Sequence, residues 1–424
     1  MLTTAQRPAT AITDASRGLK ILVLGSTYPR HGDDYAVPWL RETVRRLAAR
    51  GHEVQVLAPS FKGLRSHKID GVRVHRFRYA PTPWECLTHE QGAPNRIRNR
   101  IYQALGVPYI GAGAAAAFTL AARVDFDVIH AHWPFPHGPI AAAARLACGA
   151  PVVMNSHGAE FALARRKPWI RPLLARSLRR SDRLVSNSSH TASEVRALSG
   201  CESAVIPYGS TVTALPTPLP RNAVPRILFT GRLIQRKGVE YLIRAMPRIL
   251  ERQPAVLQIT GDGDQRRHLE EVARSLHLGD AVQFLGFVGN GELDRLYAGC
   301  DVYVNPSVID DRGDTEGLGV GPIEAFWHGR PVVASAVGGI TDVVRHRQTG
   351  LLVPEKRPAA LASAILELLR EPDRAAALAA AALADARVRF DWDRIIESLE
   401  SIYQDAITAR PSRRRGRPML ESRP

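Results

Sequence analysis

The feature that most constrains the fold of this chain is a repeating order of short apolar runs and predicted helices. Residues 19–25 (LKILVLG) form a continuous apolar run, a helix is predicted for residues 36–50, and a second apolar run follows at residues 53–59. Continuous apolar runs are typical of parallel strands that are buried on both faces of a sheet. The same order recurs through residues 128–131, 140–148, 151–155, 168–180 and 183–186. We therefore predict a doubly wound α/β domain over residues 19–206.

This order restarts after an interruption, which predicts a second domain. Residues 207–225 are rich in Pro, Thr and Ser and carry no apolar periodicity, so we assign them as a linker. The second α/β domain is predicted to occupy residues 226–390, and residues 391–409 contain a final helix. Its apolar runs lie at residues 226–230, 255–260, 281–285, 302–305, 331–334 and 351–353, and a single helix is predicted over residues 239–252.

The two ends of the chain lack this order. Residues 1–18 hold no apolar run of the kind found in secretory signals, and residues 410–424 (RPSRRRGRPMLESRP) are basic. We predict that the first segment is a disordered leader and the second a disordered tail. The longest uncharged run, residues 101–122, contains Gln103, Pro108 and many small residues, so no transmembrane helix is predicted.

The chain is strongly basic. It carries 57 Lys and Arg residues against 41 Asp and Glu residues, a formal net charge of +16. Such an excess indicates a polyanionic partner, which includes nucleic acid, an acidic membrane surface and phosphorylated substrates. The four cysteines are widely separated and form no C-x-x-C pair, so a disulfide framework is not predicted and a reducing, cytoplasmic location is expected.

Residues 314–329 (DTEGLGVGPIEAFWHG) contain two glutamates separated by seven residues, Glu316 and Glu324. A glycine-rich loop that opens a helix presents free backbone N–H groups and the positive end of the helix dipole, which suits a diphosphate. Glu324 is predicted about one turn inside that helix, where its carboxylate can accept hydrogen bonds from two vicinal hydroxyls, such as those of a ribose. Glu316 would reach a different part of the same ligand.

A cationic loop, residues 231–238 (GRLIQRKG), directly follows the strand predicted for residues 226–230. Ligands of α/β sheets bind at the loops that follow strands, and this loop carries Arg232 and Lys237. A guanidinium and an ammonium are the two side-chain groups that neutralise a leaving diphosphate. Together with the glutamate pair, they predict one nucleotide-diphosphate site.

With these motifs the sequence resembles the GT-B fold glycosyltransferases of family 4, to which the retaining glycogen synthase-like enzymes are related. The resemblance spans nearly the whole chain. It implies two Rossmann-like domains facing a cleft, with the acceptor on the first domain, the nucleotide-sugar on the second, and the last helix crossing back to the first. The residues that carry it are Gly231-Arg232-Leu233 with Lys237-Gly238, Gly261-Asp262-Gly263, Glu316 with Glu324, and residues 332–339 (VVASAVGG).

The resemblance also implies roles for individual residues. Arg232 and Lys237 would contact the donor diphosphate, Glu316 the transferred sugar and Glu324 the ribose. His157, in the segment NSHGAE, would lie near the transferred sugar. The remaining donor-site residues that it implies are Gly317, Leu318, Gly319 and Val320, whose backbone would bind phosphate and sugar, together with Gly261 and Gly32. The loop of Gly32 departs from the family, because Gly32-Asp33-Asp34 stands where a double glycine is usual.

Three histidines, His130, His132 and His137, lie close together around Trp133. No Cys or carboxylate at ligand spacing accompanies them, so no metal site is predicted. His132 and Trp133, with Asp34, are instead expected on the acceptor side of the cleft. Because cationic side chains and a helix N-terminus can serve the diphosphate, neither a divalent metal nor another cofactor is expected.

We therefore predict a metal-independent hexosyltransferase that uses a UDP- or GDP-sugar and a glycan or lipid-linked acceptor, in cell-surface polysaccharide or glycolipid synthesis. The resemblance implies retention at the anomeric carbon. A basic segment around Trp169 suits an anionic membrane, so attachment to the inner face of the plasma membrane stays open beside a merely solvated face. No nucleic-acid partner is expected. The alternatives are a non-hydrolysing sugar-nucleotide epimerase and a basic nucleic-acid-binding protein.

Overall fold

The structure is a computed structural model that describes residues 18–34, 36–89, 103–212 and 222–410. The predicted leader and tail lie outside the described residues, apart from Gly18 and Arg410. The middle of the predicted linker, residues 213–221, also lies outside them.

The first sheet contains eight strands. They are β1 (Lys20–Leu24), β2 (Glu53–Pro59), β3 (His67–Ile69), β4 (Val72–Phe77), β5 (Val128–His132), β6 (Val152–Ser156), β7 (Arg183–Ser186) and β8 (Ala204–Val205). Their spatial order is β3-β4-β2-β1-β5-β6-β7-β8, and among these strands only β3 pairs antiparallel, with β4. The accompanying helices are α1 (Pro38–Ala49), α2 (Gly106–Arg123), α3 (Pro134–Cys148), α4 (Ala159–Arg166), α5 (Ile170–Arg179) and α6 (Ser189–Ser199).

The second sheet contains six parallel strands. They are β9 (Arg226–Thr230), β10 (Val256–Thr260), β11 (Val282–Gly286), β12 (Val302–Asn305), β13 (Val332–Ser335) and β14 (Leu351–Val353), in the order β11-β10-β9-β12-β13-β14. The helices that follow α6 are α7 (Val239–Ile243), α8 (Met246–Leu250), α9 (Arg266–Ser275), α10 (Asn290–Gly299), α11 (Val320–Trp327), α12 (Ile340–Val343), α13 (Pro358–Arg370), α14 (Pro372–Arg389) and α15 (Trp392–Thr408).

The strand order determines where a ligand can bind. In the first sheet β1 lies between β2 and β5, and in the second β9 lies between β10 and β12. Successive strands are added on opposite sides of β1 and of β9, so the chain leaves a crevice beyond the carboxyl ends of β1 and β5 and beyond those of β9 and β12. The loops that contain the predicted site residues border these two crevices.

The last helix belongs to the core of the first sheet. Ile396 and Tyr403 of α15 are fully buried in one apolar cluster with residues of β1, β2 and β6. Trp392 donates a hydrogen bond from Nε1 to the carbonyl oxygen of Ser210 at 2.6 Å. The helix before it, α14, packs on the second sheet through Ala382 and Ala386. The chain thus crosses from the second domain back to the first between α14 and α15.

One helical segment departs from the sequence-based expectations. The single helix expected over residues 239–252 is divided into α7 and α8, with Pro247 in the first turn of the second, because proline lacks the N–H that a continuous helix needs. Residues 106–122 of the uncharged run, for which no transmembrane helix is predicted, form most of α2, which packs against α3. Within the described ranges, no helix is both long enough and apolar enough to cross a bilayer.

Candidate functional site

The loops after β9 and β12 bring together the charged side chains predicted from the sequence. Lys237 Nζ donates to Glu316 Oε2 at 2.5 Å, and Arg236 Nη1 lies 3.3 Å from the same oxygen. Burial alone would raise the pKa of Glu316, but the charges and hydrogen bonds of Lys237 and Arg236 hold it at about 2. Glu316 is therefore a carboxylate throughout the neutral pH range. Arg232, Arg236, Lys237 and Glu316 are called the charged centre below.

Arg232 supplies a guanidinium that remains available to a ligand. Its side chain is exposed and has no hydrogen-bond partner among the residues that the structure describes. The loop that carries it lies against the loop after β10, where a Cβ on Gly261 would lie 2.0 Å from the carbonyl oxygen of Gly231. Gly261 also has a φ of 104°, which favours glycine. Gly261 thus allows the two loops to lie side by side.

The glycine-rich loop of residues 316–320 leads directly into α11 and is held from two sides. Behind it, Gly339 N donates to the carbonyl oxygen of Glu316 at 2.9 Å, and a Cβ on Gly338 would lie 2.2 Å from that oxygen. In front of it, a Cβ on Gly317 would lie 2.5 Å from the carbonyl oxygen of His157 in the first domain. The two domains therefore touch at Gly317, within the predicted donor loop.

Glu324 lies about one turn inside α11, as its spacing predicts. Its Oε2 accepts a hydrogen bond from the Tyr297 hydroxyl at 2.7 Å, and this hydroxyl also lies 2.7 Å from Thr230 Oγ1. Burial raises the pKa of Glu324 to about 7, because the hydrogen bond from Tyr297 offsets only part of the cost of burying a charge. The protonated and ionised forms of Glu324 therefore coexist near neutral pH.

The first domain presents uncharged rings to this loop. His157 Nε2 lies 3.1 Å from His132 Nδ1, and His157 Nδ1 is hydrogen-bonded to the Tyr208 hydroxyl. Trp39 stacks on Tyr208 with ring centroids 4.4 Å apart, and Trp133 lies 4.8 Å from the His157 ring. Burial lowers the pKa of both histidines well below the ordinary value, so both are uncharged at neutral pH. These five residues are called the neutral centre below.

The structure corrects two expectations for the acceptor side. His132 is only 1% exposed, because all five residues of β5 are buried, and it contacts His157 rather than the open cleft. Asp34 is also buried, and its carboxylate accepts hydrogen bonds from the backbone and guanidinium of Arg30. Asp34 therefore shapes its own loop. Gly32 in the same loop and Trp133 after β5 do retain exposed surface.

The other two histidines of the predicted cluster have structural partners. His130 Nδ1 lies 2.7 Å from the Tyr403 hydroxyl of α15, and His137 Nε2 lies 3.3 Å from the Tyr109 hydroxyl of α2. In the part of the chain that the structure describes, no group of three or more His, Cys, Asp or Glu side chains is arranged to hold a metal ion.

Sequence reasoning missed four residues of the site: Arg236, Trp39, Tyr208 and Tyr297. Arg236 stands next to Lys237 in the motif, so the adjacent cation was the available signal. Tyr208 lies in the segment assigned as linker, yet it is only 8% exposed and contacts His157. No sequence signal links Trp39 or Tyr297 to the site, because their contacts arise from tertiary packing.

Comparisons with known proteins agree with this arrangement. The Glycosyltransferase Family 4 model matches residues 37–211, and the Glycosyl transferases group 1 model matches residues 224–371. Glycogen synthase of Mycobacterium tuberculosis is 31% identical over 309 residues, which cover 69% of this chain and 72% of the relative. The GDP-mannose-dependent alpha-(1-6)-phosphatidylinositol monomannoside mannosyltransferase of the same organism is 29% identical over 405 residues, 92% of this chain and 99% of the relative.

Among solved structures, Anabaena HepE in complex with UDP and glucose aligns with a TM-score of 0.69 at 19% identity, over 91% of this chain and 99% of that chain. Two mostly parallel sheets with this likeness define the GT-B fold, and the predicted fold class is confirmed. The matching family models and these relatives define a glycosyltransferase. The chain belongs to family 4 of the glycosyltransferases, the glycosyl transferases group 1, which confirms the predicted family and enzyme class.

Proposed function

We propose that this protein transfers a hexose from a UDP- or GDP-sugar to a hydroxyl of a glycan or lipid-linked acceptor, with retention at the anomeric carbon and without a divalent metal. The observation that carries the proposal is the charged centre, where the Arg232 side chain has no partner within the described ranges and Lys237 is paired with Glu316 beside a glycine-rich loop. These groups suit a diphosphate on one side and a sugar on the other. The residues of the neutral centre would border the bound sugar on the side of the first domain.

Arg236 makes an exchange of partners feasible during donor binding. In the structure, Lys237 and Arg236 share one oxygen of Glu316. If Lys237 turns to the diphosphate, Arg236 still compensates the charge of the buried carboxylate, so no unpaired charge is created. Arg232 and Lys237 then lie where negative charge develops on the leaving diphosphate, a role that commonly supplies a large part of catalysis.

The proposed proton path avoids both glutamates. Glu316 has a pKa of about 2 and stays ionised, so it serves to orient sugar hydroxyls rather than to transfer a proton. His157 is uncharged because burial lowers its pKa, and both of its ring nitrogens already have partners in His132 and Tyr208, so it would pack against the sugar rather than take a proton from it. The acceptor hydroxyl would attack from the side of the leaving group and pass its proton to the departing phosphate oxygen. Glu324, which is next to Tyr297, would bind the ribose hydroxyls.

A donor screen in EDTA tests the proposal. We expect UDP-hexose or GDP-hexose, and not ADP-hexose, to raise the melting temperature, because a ligand at about 100 times its Kd adds about 2.7 kcal/mol to the free energy of unfolding. The same sugar should then be transferred to an added acceptor in EDTA. NMR of the product should show that the anomeric configuration is retained. Transfer that requires magnesium would overturn the metal-independent mechanism. Product formation without any acceptor would indicate an epimerase.

The lipid-linked class of acceptor is supported by the outer face of α5. Trp169, just before the helix, is 61% exposed, and Leu173 is 42% exposed. Arg171 and Arg176 are exposed on the same helix. Exposed aromatic and aliphatic groups interleaved with cations suit an anionic bilayer surface, which attracts each nearby cation by about 1 kcal/mol. The mycobacterial mannosyltransferase relative is named for a phosphatidylinositol-based acceptor.

Vesicle sedimentation tests the membrane contact. We expect the protein to sediment with vesicles of phosphatidylcholine and phosphatidylglycerol and to stay in solution with phosphatidylcholine alone. Trp169→Ala and Arg171→Glu should each reduce sedimentation, whereas Arg267→Glu on the exposed face of α9 serves as the charge-matched control. Equal sedimentation of all three variants would mean that α5 is a solvated face and would favour soluble glycan acceptors.

A further inference from the structure

A second cleft lies between the domains, and none of Arg232, Lys237, Glu316, Glu324 and His157 lines it. Its volume is about 610 Å³, within the range of sites for small molecules. Three parts of the chain contribute: the first domain, the second domain, and the segment that crosses back between α14 and α15. The residues used in the argument below are Asn187, Leu318, Asp342, Arg345, Arg389 and Arg394.

The lining of this cleft has an excess of positive charge. Arg345, Arg389 and Arg394 face it together with one carboxylate, Asp342. Asp342 is already used, because it accepts hydrogen bonds from Ser189 N and Ser189 Oγ, each at 2.5 Å, across the domain interface. The net positive charge of the lining therefore favours binding of an anion.

Two of the three guanidiniums have capacity left for a ligand. Arg389 is fully engaged, since it donates to Asp385 and to the carbonyl oxygens of Asp342 and Val343. Arg345 makes one ion pair, with Asp385 at 3.0 Å, and half of its side chain is exposed. Arg394 is exposed and makes no side-chain hydrogen bond or ion pair with any residue in the described ranges. Two guanidiniums at one site match the geometry of a phosphate group.

A buried amide indicates that the ligand carries more than a phosphate. Asn187 is 3% exposed, and its Nδ2 donates to the carbonyl oxygen of His157 at 3.5 Å. Its Oδ1 is buried and accepts no hydrogen bond from any described residue. An unpaired buried acceptor is costly, and a hydroxyl donor would satisfy it. The lining thus offers guanidiniums for an anion and an acceptor for a hydroxyl.

We propose that this cleft is a regulatory site for a soluble phosphate monoester of a sugar or polyol. A ligand held by Arg394 and Arg345 on one side and by Asn187 on the other touches both domains, so it stabilises their closed arrangement. It also contacts Leu318, which belongs to the glycine-rich donor loop. Binding in the cleft therefore strengthens donor binding, and donor binding strengthens binding in the cleft by the same factor. This coupling, but not the binding itself, rests on the proposed function.

Calorimetric titration with hexose 6-phosphate, inorganic phosphate and free hexose tests the proposal. We expect hexose 6-phosphate to bind the wild-type protein, and inorganic phosphate and free hexose to bind at least tenfold more weakly. Arg394→Ala should weaken hexose 6-phosphate binding at least tenfold, about 1.4 kcal/mol. Arg345→Gln provides a second variant should Arg394→Ala fold poorly, as judged by circular dichroism. Arg267→Ala, whose side chain is 93% exposed on α9, is the matched control and should bind normally.

Lys237→Met separates this proposal from the proposed function. We expect it to lose nucleotide-sugar binding and to keep hexose 6-phosphate binding, whereas Arg394→Ala should show the opposite pattern. Loss of hexose 6-phosphate binding in Lys237→Met but not in Arg394→Ala would place the ligand in the donor site and overturn the proposal. Equal binding of inorganic phosphate and hexose 6-phosphate, or no binding of either, would also overturn it. Binding of hexose 6-phosphate without any nucleotide-sugar binding would refute the proposed function alone.

Discussion

The charged centre and the neutral centre occupy corresponding places in two domains of the same architecture. Each lies beyond the carboxyl ends of the two strands between which the strand order reverses. These strands are β9 and β12 in one domain and β1 and β5 in the other. One holds three cations and a carboxylate with a pKa of about 2, and the other holds two uncharged histidines among indole and phenol rings. The scaffold therefore sets only the position of a site, and the loop residues set its chemistry.

The contrast suits the proposed reaction. A leaving diphosphate accumulates negative charge and is stabilised by fixed cations. A sugar that is transferred from donor to acceptor is held by a pocket of matching shape and by hydrogen bonds. A cation in the first domain would compete with Arg232 and Lys237 for the diphosphate. Burial prevents this competition, because it keeps His157 and His132 uncharged at neutral pH.

The largest expected effect comes from removing a cation of the charged centre. Lys237→Met leaves the diphosphate with one fewer charge partner, and we expect kcat to fall by about 10² to 10³. Lys68→Met, at an exposed lysine of β3, is the control and should leave kcat unchanged. Steady-state donor turnover measures the effect. A Lys237→Met enzyme with normal kcat would remove the charged centre from catalysis.

A second substitution is expected to move the two centres apart while it leaves the side chains of both centres unchanged. Gly317→Ala places a methyl group 2.5 Å from the carbonyl oxygen of His157, so the loop or the first domain must move. We expect kcat/KM to fall by roughly 10² because a displacement of about 1 Å can have that effect. Gly291→Ala, where a Cβ meets open space, is the control. Normal kinetics in Gly317→Ala would show that catalysis does not need this contact.

Glu324→Gln tests the buried carboxyl of the second domain by its pH dependence. In the wild type the folded state retains this proton up to about pH 7, whereas the unfolded chain loses it near the ordinary value of 4.5. The free energy of unfolding of the wild type therefore falls as the pH rises between these values, and Glu324→Gln escapes this loss.

We expect Glu324→Gln to match the wild type below pH 4 and to exceed it by roughly 3 kcal/mol at pH 8. Urea unfolding of the ligand-free proteins from pH 4 to pH 8 measures the difference, and curves that stay parallel would contradict it. Donor affinity should fall in the same variant, since the proposed ribose contact is lost.

The smallest effect is expected in the neutral centre. Tyr208→Phe removes the hydroxyl that is hydrogen-bonded to His157 Nδ1 and keeps the ring stacked on Trp39. Because one hydrogen bond contributes about 1 kcal/mol, we expect kcat/KM to fall about fivefold. Tyr241→Phe in the second domain is the control. A loss as large as that of Lys237→Met would mean that His157 carries charge during the reaction.

Local spacing was sufficient to predict much of this fold. The bounds of β2, β7, β9, β12 and β14 match the apolar runs, because most residues of each strand are buried and the runs therefore stand out from the helices and loops around them. Short or amphipathic elements such as β3, β8 and α6 were not predicted, since their burial depends on neighbouring elements. The position of Glu324 inside α11 was predictable because it depends only on the start of one helix.

The contacts between distant parts of the chain could not be predicted in this way. His157 and Tyr208 are 51 residues apart, and their hydrogen bond forms because β6 and β8 both pair with β7, which brings the segments that follow them close together. The contacts of Glu316 with Arg236 and Lys237 could not be predicted for the same reason. These two residues are 79 or more positions away along the chain, and only the folded sheet brings them near Glu316. The uncharged state of His157 is likewise a property of burial rather than of residue type.

The crossing of α15 onto the first sheet has a consequence for the order of synthesis. During translation the amino-terminal half emerges first, yet the apolar surface that receives Ile396 and Tyr403 has no cover until the last helix is made. The hydrogen bond between His130 and the Tyr403 hydroxyl of α15 also cannot form before that helix is made. The second domain can complete its own core earlier, so the half that is translated first is expected to mature last.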